Sequence, residues 1–275
     1  MSLETAPTEY IEATDVRFAY RRLGNSKGTP LIFLQHFTGT MDSWDPAVVN
    51  GLAESRPVIV FNNTGVGTST GETPDNVAQM ATDAEQFIAA LGFAQVDLLG
   101  FSLGGFVAQL LAANVPSLVR KMILVGTAPQ GGEEHLLKVV EEAFSHREAP
   151  DVRLPLFFTS SEASQAAGRA FLKRASVRTE NRDPESGQAI SDPQAKALID
   201  WCATQDPEHS ILKTIDQPVL VLSGSDDTML PASNAYLMFK QLKNGQLILY
   251  PDAGHGALFQ YSERFVDHAL LFLNE

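Results

Sequence analysis

The stretch "VDLLGFSLGGFVAQLLA", residues 96–112, places Gly100, Gly104 and Gly105 around Ser102 between two apolar runs of different period. "VDLL" is short and reads as a buried strand. Leu103, Phe106, Val107, Leu110 and Leu111 recur at helical spacing, which predicts a helix with one buried stripe. A reversal from strand to helix this sharp brings neighbouring backbone against the serine, leaves no room for side chains on either side, and pushes the hydroxyl outward. Gly100, Ser102 and Gly104 fit G-x-S-x-G. Composition alone would produce that pattern in roughly one chain in ten of this length, so the strand-turn-helix context carries the weight. The bland alternative is a glycine-rich turn whose serine merely caps the helix.

Further apolar runs alternate with helical patterns: "LIFLQ" from Leu31, "VIVF" from Val58, "MILVG" from Met122, "PVLVLSG" from Pro218 and "LILYP" from Leu247. That rhythm predicts an α/β fold with a mostly parallel sheet covered on both faces. The opening "EYIEATDVRFAYRRLG" alternates like an antiparallel hairpin. Thr73 and Pro74 are expected to open a helix that Gly92 closes. From about Gln130 to Lys213 the rhythm stops, and helix-like pieces are broken by "APDVRLPLFF", "RDPESG" and "SDP". We therefore expect a core of residues 1–129 and 214–275 interrupted by a helical cap over 130–213.

The 275 residues are 44% hydrophobic and 19% charged, which suits a soluble globular chain of one large domain or two small ones. A net charge of −13 disfavours nucleic acid and anionic membranes as partners and leaves a small-molecule substrate as the expected one. The start "MSLETAPTEY" lacks a basic segment followed by an apolar one, so a cytoplasmic protein is expected. The single Cys202 excludes an internal disulfide and cysteine-based metal sites, and it reads as a packed thiol. "GVGTSTG" spaces its third glycine one position late for a dinucleotide loop, and neither H-E-x-x-H nor a P-loop occurs, so no metal or cofactor is expected.

A serine hydroxyl needs a base, and the base needs an orienting group. Asp226 and Asp227 follow the strand "PVLVL", at the carboxyl end where sites in such sheets collect. His255 lies just past the strand "LILYP", between Gly254 and Gly256. Among the other histidines, His135, His146 and His209 fall in the cap, and His268 falls in a helix pattern. His36 follows a strand and is a near-site candidate, but it precedes the serine and has no acid in a suitable segment. Two backbone amides are expected to bind the oxyanion: Leu103, at a helix start, and Phe37, in the turn "QHFTGT". His36, Phe157 and Phe158 of "LPLFF", and Trp201 are candidates to line a substrate pocket; ordinary cap-to-core packing is the competing reading.

Taken together, "LQHFTG", "FNNTGVGTSTG", "LLGFSLGGFVAQ", "LSGSDDTMLP" and "AGHG" resemble the α/β-hydrolase superfamily, and most closely its small non-haem haloperoxidase, esterase and enol-lactonase group. The resemblance implies the α/β-hydrolase fold, no cofactor, and catalytic Ser102, Asp227 and His255. Asp227 is selected over Asp226 because the acid in that group stands four positions before the proline of D-x-x-x-P. It implies a serine hydrolase acting on a small, fairly apolar ester or lactone. Perhydrolysis at the same site is an alternative. So is carbon–carbon bond hydrolysis, disfavoured by Phe101 where such enzymes often carry asparagine. A small-molecule sensor is the alternative from another class. Serine at position 102 excludes the branches that use an aspartate nucleophile. Two positions depart from the resemblance. Phe37 stands where relatives often have glycine, and is expected to narrow the acyl pocket. Asn62 and Asn63 stand where relatives often show Asp and Arg.

Overall fold

Eight strands form one sheet in the order β1-β2-β4-β3-β5-β6-β7-β8 in the computed structural model, which describes residues 1–131, 149 and 151–275. β1 (Glu9–Ala13) and β2 (Val16–Leu23) make an antiparallel hairpin, and β2 joins β4 (Val58–Phe61) antiparallel. β3 (Leu31–Leu34), β4, β5 (Val96–Phe101), β6 (Val119–Val125), β7 (Val219–Gly224) and β8 (Gly245–Tyr250) run parallel. Every residue of β3, β4, β5 and β7 is buried, as expected of parallel strands covered on both faces. The edge strands β1 and β8 expose part of their residues.

Two apolar clusters fill the two faces. One joins α2 (Val77–Ala90), α3 (Leu103–Asn114), α7 (Ser210–Thr214) and α8 (Ala232–Gln241) to the sheet. The other joins α1 (Pro46–Ala53), α9 (Ala257–Gln260) and α10 (Ser262–Asn274). Between β6 and β7 the described residues contain no strand; they form α4 (Arg153–Phe157), α5 (Glu162–Ala175), α6 (Gln188–Ala203) and α7. This helical insert divides over both faces: Phe157 and Phe171 join one cluster, Ala197 and Trp201 the other. None of the described helices is long and apolar enough to cross a membrane.

Two local expectations are corrected. α2 starts at Val77 rather than at Thr73, because the Asn76 side chain accepts the Gln79 N–H at 2.8 Å and caps the helix there. Gly92 does follow its end, with φ +77°. The "SDP" segment does not break the insert: α6 runs through Ser191 and Pro193, since proline there forfeits a single backbone bond within a 16-residue helix. "APDVRLPLFF" likewise contributes the short α4.

Candidate active site

Ser102 sits between the end of β5 and the start of α3 at φ 54° and ψ −119°, a conformation L-residues rarely hold. Neighbouring backbone fixes it there. Its N–H donates to Val125 O at 3.0 Å, and its carbonyl accepts from Gly105 N and from Thr127 Oγ1. A Cβ on Gly104 would stand 2.1 Å from Leu34 O, so the close approach of α3 to β3 requires glycine.

β7 and β8 deliver the acid and the imidazole. His255 Nδ1 lies 2.8 Å from Asp227 Oδ2, and both residues are buried. Asp227 Oδ1 accepts the N–H groups of Met229 and Leu230, each at 2.9 Å, so the turn after β7 orients the carboxylate. The carboxylate can only accept, so the Nδ1–H of the ring donates to Asp227. Asp226 is exposed, and its N–H pairs with Ala253 O. The fold therefore brings Asp227, and not its neighbour, to the histidine.

Ser102 follows β5 and His255 follows β8, both at the carboxyl end of the sheet, with β6 and β7 between those strands. The Phe101 ring, one residue before the serine, lies 5.0 Å from the imidazole. A Cβ on Gly126, the residue after the Ser102 partner Val125, would be 3.2 Å from His255 Nδ1. No hydrogen bond joins Ser102 Oγ to His255.

Among the described residues, the N–H groups of Leu103 and Phe37 have no acceptor. Leu103 is the first residue of α3, where the helix leaves its N–H groups unpaired and aligned. Phe37 is half-buried in the turn after β3.

His36 is buried beside this turn. Its Nδ1 donates to Phe37 O at 2.9 Å, and its ring packs edge-on against Phe101, Phe157 and Trp44. Burial pushes its pKa down to about 4; the Phe37 carbonyl opposes that shift and nearby His255 adds to it. It is therefore a neutral ring near pH 7. Phe157 reaches the site from α4, 5.7 Å from both the His255 and His36 rings, and its carbonyl accepts the Gly256 N–H at 2.8 Å. The other two pocket candidates have packing neighbours. Phe158 lies against Phe171 and Gly168 within the insert, and Trp201 stacks on Phe106 of α3 at 5.0 Å.

His135 and His146 lie outside the described residues. His209 takes a left-handed conformation before α7, and His268 bonds Tyr250 Oη at 2.9 Å. Cys202 is buried, which raises its thiol pKa to about 11. No group of three or more His, Cys, Asp or Glu side chains among the described residues is arranged to hold a metal ion.

Sequence reasoning left Asn62 without a role. Its Oδ1 accepts the Met41 N–H at 2.8 Å, and its Nδ2 donates to Asp183 Oδ1 of the insert at 2.9 Å. Beside it, buried Arg21 forms a two-bond pair with Asp42, whose Oδ2 also takes the Asp183 N–H. A neutral carboxamide can donate and accept at once, so it fits a point where core and insert meet over a buried ion pair. Gln194 and Ser186, which contact the Phe37 turn, carry no sequence signal at all: an isolated glutamine or serine has many ordinary uses.

The alpha/beta hydrolase fold family matches residues 29–260. An alpha/beta hydrolase fold protein from Chitinophaga pinensis, whose structure is solved, is 44% identical with a TM-score of 0.95, covering 100% of both chains. The pimeloyl-acyl-carrier-protein methyl ester esterase of Nitrosomonas europaea is 28% identical over 250 residues, 87% of this chain and 93% of that protein. The enol-lactonase of Burkholderia xenovorans LB400 shares the fold at 19% identity and a TM-score of 0.77, covering 97% of this chain and 100% of the other. The family match takes in β3 to β8, the strained serine turn and the Asp227–His255 pair, and the chain belongs to the alpha/beta hydrolase family of enzymes.

Proposed function

We propose that this hydrolase cleaves a small, fairly apolar carboxylic ester or lactone through an acyl-enzyme on Ser102. The observation that carries the reading is the buried 2.8 Å bond between His255 and Asp227, next to a serine held at positive φ. His255 takes the Ser102 proton as Oγ attacks the carbonyl carbon. The unpaired N–H groups of Leu103 and Phe37 receive the developing oxyanion, where one such donor contributes about 3 kcal/mol to transition-state stabilisation. His255 returns the proton to the departing alkoxide. Water, deprotonated by the same imidazole, then attacks the acyl-enzyme and frees Ser102. Asp227 holds the ring in the tautomer that both half-reactions need.

Preference for an apolar substrate is supported by the surroundings of His255. Phe101 and Phe157 pack against it and against the neutral ring of His36, and none of these three rings offers a charge to pair with a polar acyl group. We assign residues 130–213 as the cap over the site, with Phe157 as its contact with the histidine and Phe37 narrowing the acyl side. The esterase relative is consistent with ester cleavage.

The test is labelling by a fluorophosphonate probe combined with p-nitrophenyl esters of increasing chain length. Wild type is expected to be labelled and to favour acetate or butyrate over long acyl chains. Ser102→Ala is expected to lose both labelling and turnover while remaining folded. A wild type that takes no probe, or a variant as active as wild type, overturns the assignment.

A further inference from the structure

The turn bearing the Phe37 amide is held from outside the core. His36 O accepts the Gly39 N–H at 3.0 Å, which pins the carbonyl end of the peptide whose other end is the Phe37 N–H. Phe37 O accepts both His36 Nδ1 at 2.9 Å and Thr38 Oγ1 at 2.7 Å. The Thr38 N–H donates to Gln194 Oε1 at 2.6 Å, and Thr38 O accepts Ser186 Oγ at 2.8 Å. The Phe37 N–H itself has no acceptor among the described residues, while both neighbouring carbonyls and the Thr38 N–H are bonded. Thr38 itself sits at φ 57°, a conformation costly for a β-branched residue and kept only where surrounding bonds enforce it. Both cap residues approach the same Thr38: Gln194 from α6, with no solvent exposure, and Ser186 from the loop before it.

We propose that Gln194, assisted by Ser186, is a positioning residue that sets the aim of the Phe37 N–H, so that docking of the helical insert governs oxyanion stabilisation. This rests on the serine-hydrolase reading. The carboxamide does not touch substrate. It fixes the Phe37–Thr38 peptide plane, and with it the rotation available to the preceding amide. Losing that acceptor frees the plane to turn, and misplacement of a catalytic group by about 1 Å can cost roughly a hundredfold in rate.

The test uses the full-length enzyme with three variants. Gln194→Met preserves side-chain length and removes the acceptor, Gln194→Glu restores an acceptor, and Ser186→Ala removes the second contact. Gln194→Met is expected to lower kcat on p-nitrophenyl butyrate by roughly ten- to a hundredfold with KM unchanged. Affinity for a trifluoromethyl ketone, which forms a tetrahedral oxyanion adduct, should fall by the same factor. Gln194→Glu should recover most of both, and Ser186→Ala should lose less than Gln194→Met. Wild-type kcat and ketone affinity in Gln194→Met, or a change confined to KM, would overturn the proposal. Hydrogen exchange at the Thr38 amide reads the clamp without any substrate: it should be slow in wild type and fast in Gln194→Met. Unchanged protection there overturns the clamp whether or not the enzyme cleaves esters, whereas normal loss of protection with no ester cleavage by wild type would discredit only the proposed activity.

Discussion

Asp227 spends both carboxylate oxygens at once, Oδ2 on His255 Nδ1 at 2.8 Å and Oδ1 on the N–H groups of Met229 and Leu230. The consequence is a fixed tautomer as much as a fixed ring. Asp227→Asn keeps the shape and the two backbone contacts through its carbonyl oxygen, but turns an NH₂ toward the imidazole. The proton then moves to the nitrogen that should act as base. We expect kcat to fall by about 10⁴-fold with little change in thermal stability. Exposed Asp226→Asn should retain wild-type kcat, and steady-state assays on one ester separate the two.

Ser102 is strained for function. Its φ of 54° with ψ −119° suits glycine, and holding a residue in such a region costs of order 1–3 kcal/mol. Ser102→Gly should therefore abolish turnover and raise stability by about 1 kcal/mol, a few degrees in Tm. Ser102→Ala should abolish turnover without that gain, because its Cβ remains. Calorimetry of the two variants beside wild type tests this, and equal melting temperatures for Gly and Ala would show that the turn stores no strain.

His36 should make the fold sensitive to acid. Burial holds its pKa at about 4, against 6.5 for a free histidine. Between those values the unfolded chain takes up a proton that the folded protein refuses. Stability is thus retained above pH 6.5 and lost as pH falls toward 4, by up to about 3 kcal/mol across the window. Urea midpoints measured from pH 7 to 4 should decline, and His36→Gln should flatten that decline.

Asp183 acts in the opposite direction. Burial, and then the charge of neighbouring Asp42, raise its pKa, while Asn62 and Arg21 oppose the shift. The folded protein holds this proton more tightly than the unfolded chain, so its stabilising contribution is full at low pH and lost as pH rises through the folded value. Asp183→Asn should be more stable than wild type at pH 8, and that advantage should shrink on acidification as Asp183 protonates. A urea midpoint for the variant below wild type at pH 8 would mean that attraction to Arg21 outweighs burial.

Much of the sheet was readable because its signals are local. The run "VIVF" is apolar at every position because β4 is buried on both faces, and the alternation of "EYIEA" marks an edge hairpin. Errors arose where a local signal was overridden. Pro193 reads as a stop, yet one missing bond does not end a helix of 16 residues, four of them buried. For Phe158 and Trp201 the composition leaves pocket lining and packing both open, and each has a packing neighbour, Phe171 and Phe106.

What the chain determined by itself is the backbone chemistry around Ser102: glycines spaced for a reversal that side chains would block, a strand before it and an apolar helix, buried over most of its length, after it. Steric exclusion and hydrophobic period act within a few residues, so they are written in the order of the residues. Only the tertiary structure decided why Asn62 is neutral beside Arg21 and Asp42, and that Gln194, 156 residues away, holds the Thr38 amide. Buried polar groups must find partners wherever the fold brings them, and that pairing depends on distance in space, which no spacing along the chain encodes.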